Sequence, residues 1–359
     1  MSGCAKNYIL KKDSNKKYTT TLEQYDFVPY FNIRNKNKRF ILHTEAGKYI
    51  FFFMAYSLTP EEYNNCLEIW KSKNLDARLV VITYEPQDLG PEQFYDKCLV
   101  FKFGIKKKGD SKLFLVNRNL KIERVYNNVS EINNTNFLAE YNLILEKNKT
   151  VQSPVYIIQD VITEEMRLKI LKFWENNKHN TTDTKSKHRI DAYASKQLEL
   201  EIDNKLTKSL LPEMKKIYHI DVTHRENYKI CCYDSAHEGR FHAHRDTPHP
   251  YSHRRYALVL ALNDEFGGGG LRVKEYGDKI YKAPPRAAIV FPCMTYHEVV
   301  PIQTGKRFAI ISFLLTEDEV AAKEKHGVKT CVEDMTRYRF RTERDQYNIN
   351  LSYIYPLSK

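Results

Sequence analysis

The sequence predicts an α+β chain of two domains: an α/β layer, followed by helices packed on a β-barrel or sandwich. Three observations predict it. Short apolar runs up to residue 126 follow a strand–helix–strand–hairpin order. A polar stretch around residues 145–154 ends in Ser153-Pro154. Beyond it, two amphipathic helical patterns give way to a series of short strands. A length of 359 residues fits two domains or one large one.

In order along the chain, Tyr49–Tyr56 reads as a buried strand dense in aromatics. Thr59-Pro60-Glu61-Glu62 starts a helix, with proline in the first turn and acids at the positive dipole end. Arg78–Tyr84 is a second strand, and Lys112–Val116 and Lys121–Tyr126 form a hairpin around Asn117-Arg118-Asn119. After the break, Thr163 caps a helix whose face is Met166, Ile170, Phe173 and Trp174. A second helix carries Ile202, Leu206, Leu210, Met214 and Ile217, and Pro212 is expected to kink it. Strands are expected at Tyr228–Tyr233, Arg240–Asp246, Tyr256–Leu262, Leu271–Glu275, Ala287–Phe291 and Arg307–Leu315.

Composition bounds the class. No apolar run approaches the roughly 18 residues of a membrane span, and Met1–Lys12 lacks the charged-then-apolar pattern of a leader. The expectation is a cytoplasmic chain whose seven scattered cysteines are reduced core thiols. Its net charge of +12 is compatible with an acidic partner such as nucleic acid. Lys, Asn, Tyr and Ile are heavy throughout, however, so background composition is the preferred reading. A narrower alternative is that the basic side chains near His237–Arg255 form an entry path for an acidic substrate.

Five of the twelve histidines fall between His237 and His253. Within that run, His244 and Asp246 stand two apart, so a strand would aim both at one ion. His297, about fifty residues on, supplies a third ligand; two histidines and one carboxylate leave coordination positions open, the facial triad of non-haem Fe(II) oxygenases. Alone, His-x-Asp reads first as a polar turn next to a hairpin. Arg307, ten residues after His297, opens an apolar strand, where its fork of donors suits bidentate capture of a carboxylate. The other reading of Arg307 is a surface charge at a strand end. His242 shares the strand face; pairing it with His244 would leave the acid unused.

The stretch Tyr228–Leu315 resembles the catalytic core of the 2-oxoglutarate/Fe(II)-dependent dioxygenases, in the prolyl-4-hydroxylase-like branch. His244-Arg245-Asp246, Gly267–Gly270 before Leu271-Arg272-Val273, Pro284 to Phe291, His297 and Arg307 occur in that family's order and spacing. The resemblance implies a double-stranded β-helix (jelly-roll barrel) core at about 225–315, with flanking helices, inside a dioxygenase domain 151–320. It implies Fe(II) on His244, Asp246 and His297, with no catalytic residue beyond that centre. It implies 2-oxoglutarate as co-substrate, its distal carboxylate on Arg307, O₂ as oxidant and ascorbate as a candidate reductant. Tyr233 matches a tyrosine that often hydrogen-bonds the co-substrate carboxylate; its other reading is a core aromatic. One departure is Pro285-Arg286-Ala287, where a glycine usually stands.

Residues 1–150 resemble a peroxiredoxin-type thioredoxin fold, on Phe27–Phe31, Tyr49–Tyr56, the Thr59-Pro60 helix start and the Phe114–Leu120 hairpin. Glu62 stands where the reactive thiol would be, and Cys66 lies a turn further in, where a packed core residue is expected. The resemblance implies a redoxin-like domain without peroxidase chemistry. The basic, aromatic extension 321–359, with Arg337-Tyr338-Arg339-Phe340-Arg341, reads as an edge strand or as a nucleic-acid contact.

The expected activity is hydroxylation of an unactivated C–H, releasing succinate and CO₂, on a peptidyl, prolyl-type side chain. Small metabolites and oxidative demethylation of nucleic acid follow as alternatives. A different class is an inactive metal-binding scaffold or a redoxin-type interaction protein.

Overall fold

A computed structural model describes residues 22–24, 26–34, 39–71, 77–85, 93–96, 99–100, 103–127, 134–149, 151–248, 251–325 and 339–340. The chain divides into two compact units, residues 1–147 and 148–359.

In the first unit, β1 (Asn32–Arg34) and β2 (Arg39–Ile41) form a two-stranded ribbon. Five more strands, β3 (Tyr49–Ala55), β4 (Ala77–Thr83), β5 (Gln93–Tyr95), β6 (Ser111–Val116) and β7 (Ile122–Tyr126), make a mixed sheet of order β5-β4-β3-β6-β7. Every residue of β3 is buried because both faces of the sheet are covered. Ile50, Phe52 and Met54 pack with Phe31, Phe40 and Phe94. Phe51 and Phe53 pack with Tyr63 and Cys66 of helix Pro60–Lys71 and with Phe137 and Tyr141 of helix Asn134–Lys149. β3 and β4 run parallel, as a crossover helix requires, and β6 and β7 form an antiparallel hairpin. The helix start at Thr59 is a capping box: the Thr59 N–H donates to Glu62 Oε2 at 2.8 Å, and the Glu62 N–H donates to Thr59 Oγ1 at 3.2 Å.

The second unit holds a curled sheet built from β8 (Tyr156–Ile158), β9 (Asn180–Thr184), β10 (Lys187–Tyr193), β11 (His224–Arg225), β12 (Lys229–Asp234), β13 (Arg240–His244), β14 (Tyr256–Ala261), β15 (Phe266–Gly268), β16 (Leu271–Val273), β17 (Ile280–Tyr281), β18 (Ala288–Pro292), β19 (His297–Val299) and β20 (Ile302–Leu315). Its path is β17-β16-β19-β13-β10-β12-β20-β14-β18-β8, and every pairing in it is antiparallel.

Strand alternation gives this sheet two faces of different character. Leu258 and Leu260, Ile230 and Cys232, Ile310 and Leu314 turn toward helices Glu164–Glu175 and Lys196–Ser209, meeting Met166, Ile170, Ile202 and Leu206. Ala257 and Val259 turn the other way, with Ile289, Phe291 and Ala309. Thr163 caps the first helix, its Oγ1 accepting from the Met166 N–H at 3.3 Å. The expected single helix kinked at Pro212 is instead two helices, Lys196–Ser209 and Leu211–Tyr218. Proline costs nothing in the first turn of the second, where its missing N–H has no partner to lose.

Gly268, at φ 68, turns where a Cβ would come within 2.6 Å of the Pro301 carbonyl oxygen. Arg286 takes the left-handed backbone of the expected glycine, at φ 73. Its N–H donates to the Ala261 carbonyl, its own carbonyl accepts from Val161, and its guanidinium reaches Asp160 at 2.8 Å. Those bonds hold a conformation that arginine alone disfavours.

Of Arg337–Arg341, only Arg339 and Phe340 are described. Arg339 bridges to His224, and Phe340 is buried against the helix-side core. Residues 1–21 and most of the expected 321–359 extension lie outside the described residues. No helix among the described residues is long and apolar enough to cross a membrane.

Candidate metal centre

His244 and His297 face each other directly across the β13–β19 ladder. Asp246 does not continue β13, as an unbroken strand would have it. Its N–H leaves the ladder to donate to the Cys293 carbonyl at 3.0 Å, which swings the carboxylate between the two rings. His244 Nε2 lies 3.3 Å from Asp246 Oδ1, and His297 Nε2 lies 3.4 Å from Asp246 Oδ2. One ligand atom from each residue falls within 4.8 Å of the others.

The imidazoles are fixed in the form a metal needs. His244 Nδ1 donates to the carbonyl of His242 at 2.8 Å, and His297 Nδ1 donates to the carbonyl of Thr295 at 3.0 Å. Each ring is therefore tied by the carbonyl two residues before it, which leaves both Nε2 lone pairs aimed inward. Phe241 stacks on His244 at 3.7 Å between centroids, and Phe291 sets its edge to His297 at 4.6 Å. Burial opposes the Asp246 charge, but His297, His244 and Arg254 hold the carboxyl below its ordinary value. Burial pulls His297 down, favouring the neutral ring that ligation requires. Three donors on one side of a small space, with both ring N–H groups already satisfied, fit a divalent transition metal with open positions.

Arg307 is not a strand-end surface charge. It sits inside β20, on the inner face beside Ala309, 7% exposed. Its Nη1 is buried without a hydrogen-bond partner, and burial pulls the guanidinium down from its ordinary value. A small cavity lined by Arg307, Val259, Ala261, Ala283 and Ile289 adjoins it. Tyr233 pairs with Arg307 across β12–β20, fully buried, its ring 5.3 Å from the guanidinium carbon. Burial pushes the phenol up from its ordinary value, so it stays a hydroxyl.

No family model matches the chain. Two curated PKHD-type hydroxylases, from Synechococcus sp. strains JA-2-3B'a(2-13) and JA-3-3Ab, are each 33% identical over 60 residues. That segment is 16% of this chain and 27% of each relative, so the match spans about a quarter of the length of these relatives. Among solved structures, a prolyl hydroxylase from Trichoplax adhaerens, in complex with a hypoxia inducible factor oxygen degradation domain peptide, is 16% identical. It covers 50% of this chain and 96% of its own, with a TM-score of 0.39. The viral collagen prolyl hydroxylase of Paramecium Bursaria Chlorella virus-1, as its 2OG complex, is 15% identical over 45% of this chain and 96% of its own, at 0.37. A 2OG-Fe(II) oxygenase family oxidoreductase from Burkholderia pseudomallei is 12% identical over 50% and 90%, at 0.40.

His242 is exposed and stays out of the cluster; its Nε2 accepts from Arg240 at 3.4 Å. The basic run near the site is largely neutralised from within. Arg240 pairs with Glu238, Arg245 with Glu275, Arg254 and His253 with Glu226, and Arg255 with Glu319. Among the described residues, each arginine of the run from His237 to Arg255 is thus paired with a carboxylate. Arg254 is also clamped between Phe313 and Tyr251, 3.7 and 4.0 Å from their ring centroids, and reaches the Asp246 carbonyl at 3.4 Å.

Two inner-face residues escaped the sequence reading: Arg189 and Asp191 of β10. Their signal is faint, two charges at period two in a strand whose other face, Ile190 and Ala192, is apolar. Cys66 is buried against the first unit's sheet; burial, then the Glu62 charge, push its thiol up to about 12, so it stays protonated at neutral pH.

Proposed function

We propose that the second unit is an Fe(II)- and 2-oxoglutarate-dependent dioxygenase that hydroxylates an unactivated C–H. The observation that carries this reading is the buried Arg307 guanidinium, whose Nη1 has no hydrogen-bond partner, on a barrel that also gathers His244, Asp246 and His297. A stranded buried charge is costly unless a ligand completes it. The charge balance suits a dianion: Fe(II) on one aspartate keeps one positive charge, and Arg307 supplies another. A diacid answers both, one end at the metal and the other at the arginine.

His244, Asp246 and His297 would hold the metal, their rings locked by the His242 and Thr295 carbonyls. Arg307 and the Tyr233 hydroxyl would hold the distal carboxylate. Val259, Ile289, Phe291 and Ala309 make the interior apolar, which excludes water and strengthens those contacts. Bound iron with 2-oxoglutarate and O₂ would supply the oxidation, with release of succinate and CO₂. The 60-residue match to PKHD-type hydroxylases supports the same class. For the substrate we propose a peptidyl side chain of prolyl type, following the resemblance of the metal and arginine spacing to the prolyl-4-hydroxylase-like branch. For the first unit we propose no thiol chemistry, because Cys66 is buried and burial raises its thiol to about 12; its redoxin-like character rests on the sequence resemblance alone.

The test is succinate formation dependent on Fe(II) and 2-oxoglutarate, with a search for peptides heavier by one oxygen atom. Binding of both without any succinate, across peptide and metabolite pools, would leave a metal-binding scaffold as the function.

A further inference from the structure

Arg189 is a buried cation that the proposed reaction does not use. The register of β10, β12 and β20 puts it in a row: Ile190 pairs with Cys232, so Arg189 faces Tyr233, and Tyr233 faces Arg307. Two guanidiniums thus flank one phenol, 5.8 and 5.3 Å from its ring. Their charges are handled differently. Arg189 is neutralised by Asp191, with Nη2 at 2.8 Å and Nε at 2.5 Å from its two oxygens, and Lys187 lies 3.8 Å from the same carboxylate. Arg189 Nε and Asp191 Oδ1 are in ion-pair contact without hydrogen-bond geometry, whereas Arg307 has an unpartnered Nη1 and no carboxylate beside it among the described residues.

Arg189 Nη1 also donates to the Tyr233 hydroxyl oxygen at 3.3 Å. A guanidinium accepts nothing, so the phenol hydrogen can point at neither arginine and must go to an acceptor. Among the described residues neither Arg307 Nη1 nor this hydrogen has an acceptor, and one anion would serve both.

We propose that Arg189 is a positioning residue: it holds the Tyr233 hydroxyl as a donor toward the carboxylate on Arg307, while Asp191 cancels its charge so that this end takes one carboxylate. The inference rests on the reading of the site as a 2-oxoglutarate pocket and assigns a task to a residue outside it.

The test is a double-mutant cycle read by calorimetry of 2-oxoglutarate binding to the full chain loaded with Mn(II). Tyr233→Phe and Arg189→Gln are each expected to weaken binding about tenfold, the scale of one hydrogen bond to a charged group. In the Tyr233→Phe background, Arg189→Gln is then expected to cost less than about twofold, because its route is gone. Arg189→Gln could fail to fold by stranding Asp191. Arg189→Gln/Asp191→Asn removes both charges and should show the same dependence on Tyr233. Losses that multiply to about a hundredfold, or a double variant that binds like wild type, overturn the inference and leave the pocket standing. Wild-type protein that binds Mn(II) but no 2-oxoglutarate overturns the pocket and the inference together.

Discussion

The two faces of the curled sheet both bury arginines, and Arg225 on one is the opposite of Arg307 on the other. On the helix side, Arg225 grips Asp203 through Nε and Nη2 at 2.9 and 2.7 Å, and Tyr228 donates to the same carboxylate at 2.8 Å. Asp203 is fully buried, and Glu199 lies 3.4 Å from Arg225. That network closes on itself and bolts helix Lys196–Ser209 to the sheet. On the inner face, Arg307 is also buried yet has an orphaned nitrogen. A completed polar network needs nothing more, whereas an incomplete one marks where a ligand belongs.

The largest expected effect lies on the inner face. His244→Ala should lower Mn(II) or Fe(II) affinity by more than about 100-fold, the loss already reached when only a ligand's supporting partner is removed. Calorimetric titration checks it, and unchanged affinity would remove His244 from the centre. Next come the arginine networks, where stability and binding should separate. Asp203→Ala strands Arg225 and should destabilise the fold by about 3–5 kcal/mol in denaturant melts. Arg307→Met removes a buried charge that has no carboxylate partner among the described residues, so the same melts should show equal or greater stability. It should nevertheless abolish the melting-temperature rise that 2-oxoglutarate gives the Mn(II)-loaded protein, a stabilisation of about 2.7 kcal/mol at a hundredfold excess over Kd. An Arg307→Met protein as destabilised as Asp203→Ala would make both networks structural.

The difference between the faces also explains what could be read from the chain. The helix side is written in spacing: Met166, Ile170 and Trp174 recur at the helical period and all are buried. The residues of the candidate cluster are legible through spacing, in His-x-Asp, the later His297 and Arg307 ten residues on. The parts that orient them are not. The partners of both imidazoles are backbone carbonyls, which every residue carries, so no side chain announces them. Asp246 was read as a strand residue because two-residue spacing fits a strand; its hydrogen bond to the Cys293 carbonyl is a long-range event. Arg189 joins the row only through the pairing of β10 with β12, and register between distant strands leaves little trace in one sequence. Pro212 shows the reverse error, since a helix interior and a helix start look alike until the break at Leu210 is seen.

A smaller effect comes from Glu226, whose carbonyl accepts from Ser312 and whose carboxylate is held by Arg254 and His253. Burial works against its charge, but those two partners bring the carboxyl down to about 2. A carboxyl depressed on folding stabilises above its ordinary value and loses that contribution as pH falls through the folded one. Stability should therefore drop between about pH 4.5 and pH 2, by about 3 kcal/mol from this group. In Glu226→Gln that part of the acid slope should vanish, leaving a protein already weakened at neutral pH. An unchanged slope would place the acid sensitivity elsewhere.

The smallest expected effect is the sharpest about alignment. His242 stands two residues before His244, and a regular strand would give both the same view of the metal. The structure instead uses the His242 carbonyl to hold the His244 ring and leaves the His242 imidazole in solvent, beside Arg240. His242→Ala keeps that carbonyl, so metal affinity should stay within about twofold of wild type in the titration that His244→Ala fails. A loss comparable to that of His244→Ala would mean the strand turns its other histidine inward when metal arrives. Asp246 would then be the residue displaced, and Asp246→Asn should bind metal almost as well as wild type. Retained affinity in His242→Ala with loss in Asp246→Asn fixes the triad as His244, Asp246 and His297.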